Sequence, residues 1–457
     1  MADPCLVVSD GRVALVAALR DQGMSAATAA SKAQRLGHLR DVLAARAPRK
    51  PVWGWFVPGR IELLGKHTDY AGGRSLLCAV ERGFCVVAAP RADGRVRILD
   101  AGWDAELDLP LEGGPAPSGW GVYPATMLRR LRRDFPELRQ GADIVLSSDL
   151  PRSAGMSSSS ALMTACYFAM AGANQLESLP RFQANITSRE DLAGYLAAVE
   201  SGAGWRDFPG DAGVGTHGGS EDHTAILCCR AGFWSRYAFC PVREEGRLAA
   251  PQEFVLAIGA SGVVASKTGG ARGSYNRAVE ITRALLHLWN SSAPDAAATL
   301  GEVLARPGAA RELFDRCAAV SADGVSAADL RARLRQFEQE SFTIIPAVDQ
   351  ALARADWTAF GALVARSQQG AEDGLRNQVP ETIALVRMAR EHGAVAASAF
   401  GAGFGGSVWA LVPKHEAAGF VPRWRACYQH AFADRAAQSV FFVSGAGPGA
   451  FAVPCES

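Results

Sequence analysis

The sequence predicts an α+β protein with two domains. Short apolar segments bounded by glycine and proline, which are typical of strands, dominate the first half, whereas helical periodicity dominates residues 271–391. The charged stretch EEGRLAAPQ (244–252) lies between these regions and is the best domain boundary. Beyond it, strand–helix–strand order around a glycine-rich turn favours an α+β second domain. We therefore expect domains at 51–248 and 249–457, preceded by a helical extension at 1–50.

The composition is that of an ordinary globular protein. The chain has 457 residues, of which 49% are hydrophobic and 20% charged, and its formal net charge is +1. Such a charge gives no general attraction to nucleic acid or anionic lipid. No uncharged apolar run reaches the roughly 18 residues of a membrane span, and the N-terminus does not resemble a signal peptide. The ten cysteines form no C-x-x-C pair, so we expect free thiols and a cytoplasmic location.

Patterns in the first half predict a helical segment followed by strands. Residues 11–47 have helical periodicity, with Ser25 as the N-cap. Pro51 and Pro58 bracket the strand VWGWFV, and the turn ADGR (92–95) predicts a hairpin. Further strands are expected in DIVLSSDLP, AILCC, FWSRYAF and FVLAIGAS, with a helix at 187–201 between the first two.

The second half is expected to be mostly helical. The periodic segments lie at about 271–290, 294–306, 309–319, 326–340, 346–371 and 380–391. The chain then closes with the strands VAASAF and SVWALVP, a helix at 414–432 and the strand SVFFVSG.

The strongest functional motif is PRSAGMSSSSAL (151–162), a small-residue turn that opens an apolar helix. Small residues allow a ligand to approach the backbone closely, and successive N–H groups in such a turn bind anions. The following helix directs the positive end of its dipole at the same place. A solvent-exposed loop with a serine N-cap is the alternative interpretation. The chain has no G-x-x-x-x-G-K-[ST] motif, so it is not a P-loop NTPase.

A second motif, VPGRIELLGKHTDYAGG (57–73), places four charged or polar side chains, Arg60, Lys66, His67 and Asp69, in an otherwise apolar segment. Charged groups near buried strands cost free energy unless a partner or a ligand compensates them. This pattern favours a ligand site over a surface loop.

A third motif, GAGFGGSVWALV (401–412), contains Gly401, Gly403, Gly405 and Gly406. It mimics part of a dinucleotide fingerprint. A Rossmann site, however, follows an early strand and opens a helix, whereas this motif lies near the C-terminus and enters a strand. That context argues against NAD binding.

Taken in their order along the chain, the three motifs resemble the signature motifs of the GHMP kinases. The first of them, at residues 57–73, is similar to the galactokinase signature. The resemblance spans roughly residues 55–450 and includes SYNRAVE (274–280), around Tyr275. It implies the two-domain GHMP kinase fold, with an N-terminal mixed sheet and helices, a C-terminal ferredoxin-like α/β sandwich and an active site in the cleft between them. It also implies an ATP-dependent kinase that phosphorylates the anomeric hydroxyl of galactose or a galactose-like sugar.

The resemblance also assigns roles to residues. Asp222 corresponds to the aspartate beside the attacking hydroxyl, and Arg60 to the arginine that pairs with it and steadies the γ-phosphate. Ser159 and Glu200 correspond to the Mg²⁺ ligands. The sugar would contact Lys66, His67, Asp69 and Tyr275. The ATP phosphates would lie on the turn formed by Ser153, Ala154, Gly155, Met156, Ser157, Ser158, Ser159 and Ser160.

The sequence departs from the galactokinase pattern at several of these positions. Lys66 stands where galactokinases usually have a glutamate, which suggests either an anionic sugar such as a uronic acid or a lysine that points elsewhere. Glu62 replaces the usual asparagine, and Ser153 stands where glycine is common. The spacing of 22 residues between Glu200 and Asp222 implies an insertion beside the catalytic loop.

Two functions other than that of a sugar kinase are also compatible with the sequence. The first is a non-catalytic sensor that binds sugar and ATP, although the retained Arg60, Ser159, Glu200 and Asp222 favour an enzyme. The second, a Rossmann oxidoreductase, is disfavoured by the position of the glycine motif. We expect small-molecule sugar and ATP as partners, no nucleic acid or membrane, and a monomer or weak homo-oligomer.

Overall fold

The computed structural model describes residues 12–47, 51–114, 117–152, 154–264, 272–291, 295–319 and 325–453. Within these ranges twelve strands form two sheets. The strands are β1 Trp53–Leu64, β2 Arg74–Arg91, β3 Arg95–Asp100, β4 Ala105–Pro110, β5 Gly141–Ser148, β6 Phe233–Ala238, β7 Arg243–Ala249, β8 Phe254–Ala260, β9 Ala396–Phe400, β10 Ser407–Pro413, β11 Val440–Ser444 and β12 Phe451–Ala452.

Fifteen α-helices lie in the described part of the chain, among shorter 3₁₀ and π segments. They are α1 Arg12–Asp21, α2 Ala26–Arg46, α3 Val122–Asp134, α4 Ser158–Asn174, α5 Pro180–Asn185, α6 Arg189–Ser201, α7 Glu221–Cys228, α8 Arg272–Asn290, α9 Leu300–Leu304, α10 Ala309–Arg316, α11 Ala327–Glu338, α12 Ile345–Ala353, α13 Trp357–Gly370, α14 Pro380–Glu391 and α15 Ala417–Ala431. None of these helices is long and apolar enough to cross a lipid bilayer.

The first sheet is mixed and contains the strands of the first half. Its order is β12-β1-β2-β5-β3-β4, with β6 pairing with β2 and β7 with β6. Strand β5 pairs with β2 in antiparallel and with β3 in parallel orientation. The hairpin predicted at 92–95 is therefore wrong, because β5 inserts between the two strands that the turn connects. The local turn residues carry no information about that insertion.

Strand β1 is longer than the sequence predicted. Pro58 was expected to end it, but the strand continues to Leu64 and shifts its register against β2 between Pro58 and Arg60. A proline can lie inside a strand where a bulge removes the need for its missing N–H. The extension carries Arg60 and Glu62 into the interior, where both are buried.

The second sheet has the antiparallel order β11-β8-β10-β9. Helices α14 and α15 pack against it through an apolar cluster that includes Leu385, Phe420 and Trp424. The change from one sheet to the other falls between Ala249 and Phe254, near the expected boundary. Strand β12 returns to the first sheet, so the last residues of the predicted C-terminal domain pair with β1. The division into domains stays a prediction.

Helices α1 and α2 cover one face of the first sheet. Ser25 caps α2, as predicted, by accepting a hydrogen bond from the Thr28 backbone. The helix buries an apolar stripe that includes Leu36, Leu39 and Leu43 against side chains of β1, β2 and β5. Its Lys32 is buried and forms an ion pair with Asp149 at 2.7 Å. The described part of the N-terminal extension is therefore part of the core.

We expect Leu39→Ala to destabilise the protein by about 2–5 kcal/mol, the usual cost of deleting a buried leucine side chain. Leu39 is fully buried between α2 and the sheet. Val13→Ala is the matched control, because the Val13 side chain is 85% exposed. Urea unfolding of both variants gives the measurement; equal unfolding midpoints would show that the two N-terminal helices are not needed for the stability of the sheet.

One further correction bears on the site. AILCC was expected to be a strand, but these residues belong to α7 and the residue after it. A short apolar run does not distinguish a buried strand from a buried helix. Because α7 begins at Glu221, Asp222 lies in the first turn of a helix rather than in a loop.

Candidate active site

Arg60 and Asp222 form a buried ion pair. Arg60 projects from β1 and donates from Nε and Nη2 to Asp222 Oδ1, at 2.9 and 2.7 Å. The Arg60 Nη1 also donates to the Gly155 carbonyl, at 2.5 Å. Burial by itself would lower the pKa of the Arg60 guanidinium, but the carboxylates of Asp222 and Glu221 raise that pKa above its ordinary value. The Arg60 guanidinium is therefore permanently charged, and it connects the motif at 57–73 with the serine turn at 151–162.

The turn before α4 has the geometry of an anion site. Gly155 and Ser157 both lie in the left-handed region, with φ of 70° and 58°. Ser157 is the N-cap of α4, and its Oγ is buried without a hydrogen-bond partner. A buried hydroxyl that lacks a partner at a helix N-terminus fits a site for an anionic group, since both the hydroxyl and the helix dipole favour one.

The predicted phosphate-binding residues separate into three groups. Gly155, Ser157, Ser158 and Ser159 line a cavity of about 420 Å³. By contrast Ala154, Met156 and Ser160 are buried in the structure and do not line it. Ser153 lies outside the described residues.

Aromatic side chains also line this cavity. Its lining includes Trp103, Trp120 and Tyr123. Trp53 and Trp55 do not line this cavity but pack in the core, with Trp55 stacked on Phe168 at 6.1 Å between ring centroids.

The glycines of the third motif pack against the phosphate turn and its neighbours. A Cβ on Gly401 would lie 2.7 Å from the Gly155 carbonyl oxygen, and one on Gly403 would lie 2.4 Å from the Asn377 carbonyl oxygen. Gly405 and Gly406 likewise have positive φ. The third motif thus supports the turn by backbone-to-backbone contact, which only glycine permits at such distances.

Glu200 lies at the centre of a hydrogen-bond network. Its Oε2 accepts from Ser160 Oγ at 2.8 Å and lies 2.9 Å from His223 Nε2. Ser160 Oγ also lies 3.3 Å from Asp222 Oδ2, so the network connects Glu200 with the ion pair. The predicted metal ligand Ser159 faces the phosphate cavity instead.

A second, much smaller cavity of about 40 Å³ adjoins the ion pair. Its polar lining includes Arg60, Glu62, His67, Asp69, Thr216, Glu200, Glu221, Asp222 and Tyr275. His67 and Tyr275 lie with ring centroids 5.2 Å apart, and Asp69 accepts a hydrogen bond from the Glu221 backbone at 3.1 Å. Three of the four predicted sugar-contacting residues therefore share one cavity.

Lys66, the fourth, does not line this cavity. It is buried, and its Nζ donates to Ser367 Oγ at 3.2 Å. Ser367 in turn donates to Glu340, which also accepts from the Gly65 backbone at 2.7 Å. Of the two interpretations left open by the sequence, the structure therefore favours the lysine that points away from the sugar.

Two acidic residues that the sequence did not assign to the site, Glu62 and Glu221, lie beside the ion pair. Burial raises the pKa of Glu62 to about 7, and it raises the pKa of Glu221 well above the ordinary value. The negative charge of Glu62 also disfavours ionisation of Glu221 and so raises the pKa of Glu221. Since Glu62 would titrate at about 4.5 when unfolded, the folded state loses stability as the pH rises from there toward 7.

Other participants are also visible only in three dimensions. The Asn276 side chain bonds to the loop before α7, accepting from the His217 backbone at 3.2 Å and donating to the Gly215 carbonyl at 3.3 Å. His223 Nε2 lies within hydrogen-bond distance of Glu200 Oε2. The one signal in the sequence that could have pointed to Asn276 is its neighbour Tyr275.

Three family models match the chain. They are the galactokinase galactose-binding signature at residues 45–90, the GHMP kinase N-terminal domain at 122–218 and the GHMP kinase C-terminal domain at 348–430. The three matches follow the same order as the motifs.

Curated relatives match most of the chain. It is 28% identical over 370 residues to the galactokinase of Actinobacillus pleuropneumoniae serotype 3, covering 79% of this chain and 85% of that protein. Its identity to the galactokinase of Streptomyces coelicolor is 29% over 378 residues, covering 81% and 86%.

Among solved structures, the galactokinase of Lactococcus lactis in complex with galactose matches with a TM-score of 0.74. Its sequence identity is 22%, over 91% of this chain and 99% of that one. The mevalonate kinase of Methanococcus jannaschii matches with a TM-score of 0.52 at 13% identity. These likenesses show the predicted two-domain α+β fold.

Proposed function

This chain is a galactokinase-like member of the GHMP kinase superfamily, and from that membership we infer that it is an ATP-dependent sugar kinase. It transfers the γ-phosphate of ATP to the anomeric hydroxyl of galactose or a closely related sugar. The reaction is expected in the cytoplasm, by a monomer or a weak homo-oligomer.

One observation carries the proposal: Arg60 lines both cavities. On one side lies the cavity of the serine turn and on the other the cavity of Asp69 and Tyr275. A phosphate on the turn and a sugar hydroxyl in the smaller cavity would thus meet at the Arg60–Asp222 pair. Phosphoryl transfer requires this kind of positioning more than covalent help from the protein.

The residues at this junction have complementary roles. Asp222 accepts the proton of the attacking hydroxyl or orients that hydroxyl by a hydrogen bond, and Arg60 holds it in place. The Arg60 guanidinium and the N–H groups at the start of α4 offset the negative charge that develops on the transferred phosphate. His67, Asp69 and Tyr275 fix the sugar ring.

Mg²⁺ is the metal that these residues fit. Glu200 and the serine hydroxyls are oxygen donors, which Mg²⁺ prefers. The described residues contain no group of three or more His, Cys, Asp or Glu side chains that could hold a metal alone. In the site that we propose, Glu200 and Ser159 would bind the ion together with ATP phosphate oxygens. Such an ion neutralises phosphate charge.

We expect Glu200→Gln to raise the Mg²⁺ concentration for half-maximal activity at least tenfold, because a neutral amide is a weaker ligand than a carboxylate. Glu190→Gln, in the first turn of the same helix, is the control and should leave the Mg²⁺ dependence unchanged. Titration of MgCl₂ at fixed ATP in a kinase assay provides the readout. An unaltered half-maximal concentration for Glu200→Gln would remove this residue from the metal site.

The function is tested by ADP release from ATP in the presence of a panel of neutral sugars, amino sugars and uronic acids. Turnover with galactose, and a 1-phosphate product identified by NMR, are expected. ATP and sugar binding without turnover of any sugar would instead favour the sensor.

A further inference from the structure

His223 is a polar side chain buried directly beside the proposed catalytic residue. It follows Asp222 in the first turn of α7 and is only 1% exposed. It lines neither the smaller cavity nor the cavity of the serine turn, so it would reach neither substrate directly. A buried histidine costs free energy unless its ring nitrogens find partners within the protein.

Both ring nitrogens of His223 have partners on other helices. Its Nε2 lies 2.9 Å from Glu200 Oε2 on α6, and its Nδ1 lies 3.3 Å from Thr164 Oγ1 on α4. A carboxylate that binds a metal ion is ionised and can only accept hydrogen bonds, so Nε2 carries the hydrogen of the bond to Glu200. The contacts at the two nitrogens together fix the plane of the ring.

The same oxygen of Glu200 accepts a second hydrogen bond, from Ser160 Oγ at 2.8 Å. Ser160 follows the proposed metal ligand Ser159 in the first turn of α4. It is fully buried and lines neither cavity, whereas Glu200 lines the smaller one. Two donors from the protein interior thus restrict rotation of the Glu200 carboxylate while the side chain borders the cavity.

From these contacts we propose that His223 is a positioning residue for the metal site, whose Nε2–H orients the Glu200 carboxylate toward the Mg²⁺ that accompanies ATP. The inference rests on the proposed kinase function and adds a residue to its metal site. Groups that hydrogen-bond a metal ligand fix the direction of that ligand, and loss of one typically lowers metal affinity by roughly 10- to 100-fold. Without His223, only Ser160 would hold this oxygen of the carboxylate.

The same contact couples the metal ligand to the helix that carries Asp222. Helices α6 and α7 pack against each other, and Ser160 Oγ lies 3.3 Å from Asp222 Oδ2. A displacement of α7 would therefore move both Asp222 and the donor to Glu200. An ordinary core histidine, which stabilises this packing and has no effect on the metal, is the competing interpretation. The two interpretations differ in what they predict for a variant that keeps the N–H donor.

The test compares His223→Gln, which keeps an N–H donor of similar reach, with His223→Leu, which fills the space without one. The probe is Mn²⁺, which binds the same oxygen ligands as Mg²⁺. It is titrated into the protein saturated with a non-hydrolysable ATP analogue, and the free ion is measured by EPR against the analogue alone. We expect His223→Leu to weaken Mn²⁺ binding at least tenfold and His223→Gln to weaken it no more than about threefold. Wild-type affinity in His223→Leu would overturn the proposal.

Thr224→Val is the matched control for a lost hydrogen bond in the same helix. Thr224 is fully buried, and its Oγ1 donates to the Ser220 carbonyl at 2.7 Å. This variant should lower the midpoint of thermal unfolding and leave the affinity for Mn²⁺ unchanged. If it weakens Mn²⁺ binding as much as His223→Leu does, or if His223→Gln is as impaired as His223→Leu, the histidine serves only the packing of α7 and the inference fails.

NMR of the wild-type protein gives a second readout that does not depend on the folding of any variant. With ¹⁵N-labelled histidine, the His223 ring should carry a hydrogen on Nε2, and its Nε2 signal should shift when Mg²⁺ is added to the complex with the ATP analogue. A hydrogen on Nδ1 alone, or a signal that ignores the metal, would contradict the inference. Neither measurement uses turnover, so failure of the kinase function, seen as no ADP release with any sugar, is distinguishable from failure of this inference.

Discussion

Asp222→Asn is expected to reduce kcat by a factor of about 10² to 10⁴, the usual contribution of a positioned general base. The asparagine keeps the size of the side chain and still accepts from Arg60 through its amide oxygen, but it cannot take a proton. The KM for ATP should change by only a few fold, since Asp222 does not line the cavity of the serine turn. Steady-state kinetics with a saturating sugar gives the comparison.

The control for this variant lies in the preceding loop. Asp207→Asn changes an exposed aspartate and should leave kcat unchanged. Thermal unfolding must show that Asp222→Asn is folded, because Arg60 loses its closest charged partner. Retention of more than about a tenth of the wild-type kcat would mean that Asp222 orients Arg60 without acting on the nucleophile.

Lys66→Met is expected to lower the free energy of unfolding by about 3–5 kcal/mol, the cost of leaving buried charges without their partner. Lys66 is 1% exposed, and its ammonium lies among Ser367, Glu340 and Glu62. Methionine fills similar space without the charge. Urea unfolding gives the measurement, and the KM for sugar should change less than the stability does, because Lys66 does not line the sugar cavity.

A double variant separates charge from packing. Glu340→Gln keeps an oxygen that can accept from the Gly65 backbone and removes one negative charge. Lys66→Met combined with Glu340→Gln should therefore be more stable than Lys66→Met alone, with a coupling of about 1–3 kcal/mol. A large rise in the KM for sugar in Lys66→Met, with unchanged stability, would instead indicate that the lysine contacts the substrate.

The prediction of individual elements succeeded where the pattern was long and local. The helical extension with its Ser25 cap and most helices of the second half follow from periodicity, as do β8 and β10. The misplaced elements were short or depended on distant neighbours. AILCC is equally apolar in a helix and in a strand, and the insertion of β5 beside β3 is set by pairing across more than forty residues.

The sequence by itself determined the family, the fold class and the set of polar residues available for chemistry, because motif composition and order are local properties of the chain. Only the tertiary structure decided which of those residues share a cavity. It brings Arg60 next to Asp222, 162 positions away in the chain, and directs Lys66 away from the sugar site toward Glu340. It also places Glu62 and Glu221 in the lining of one cavity. Side-chain direction and the burial of charge depend on elements that pack from distant parts of the chain, and no local pattern records them.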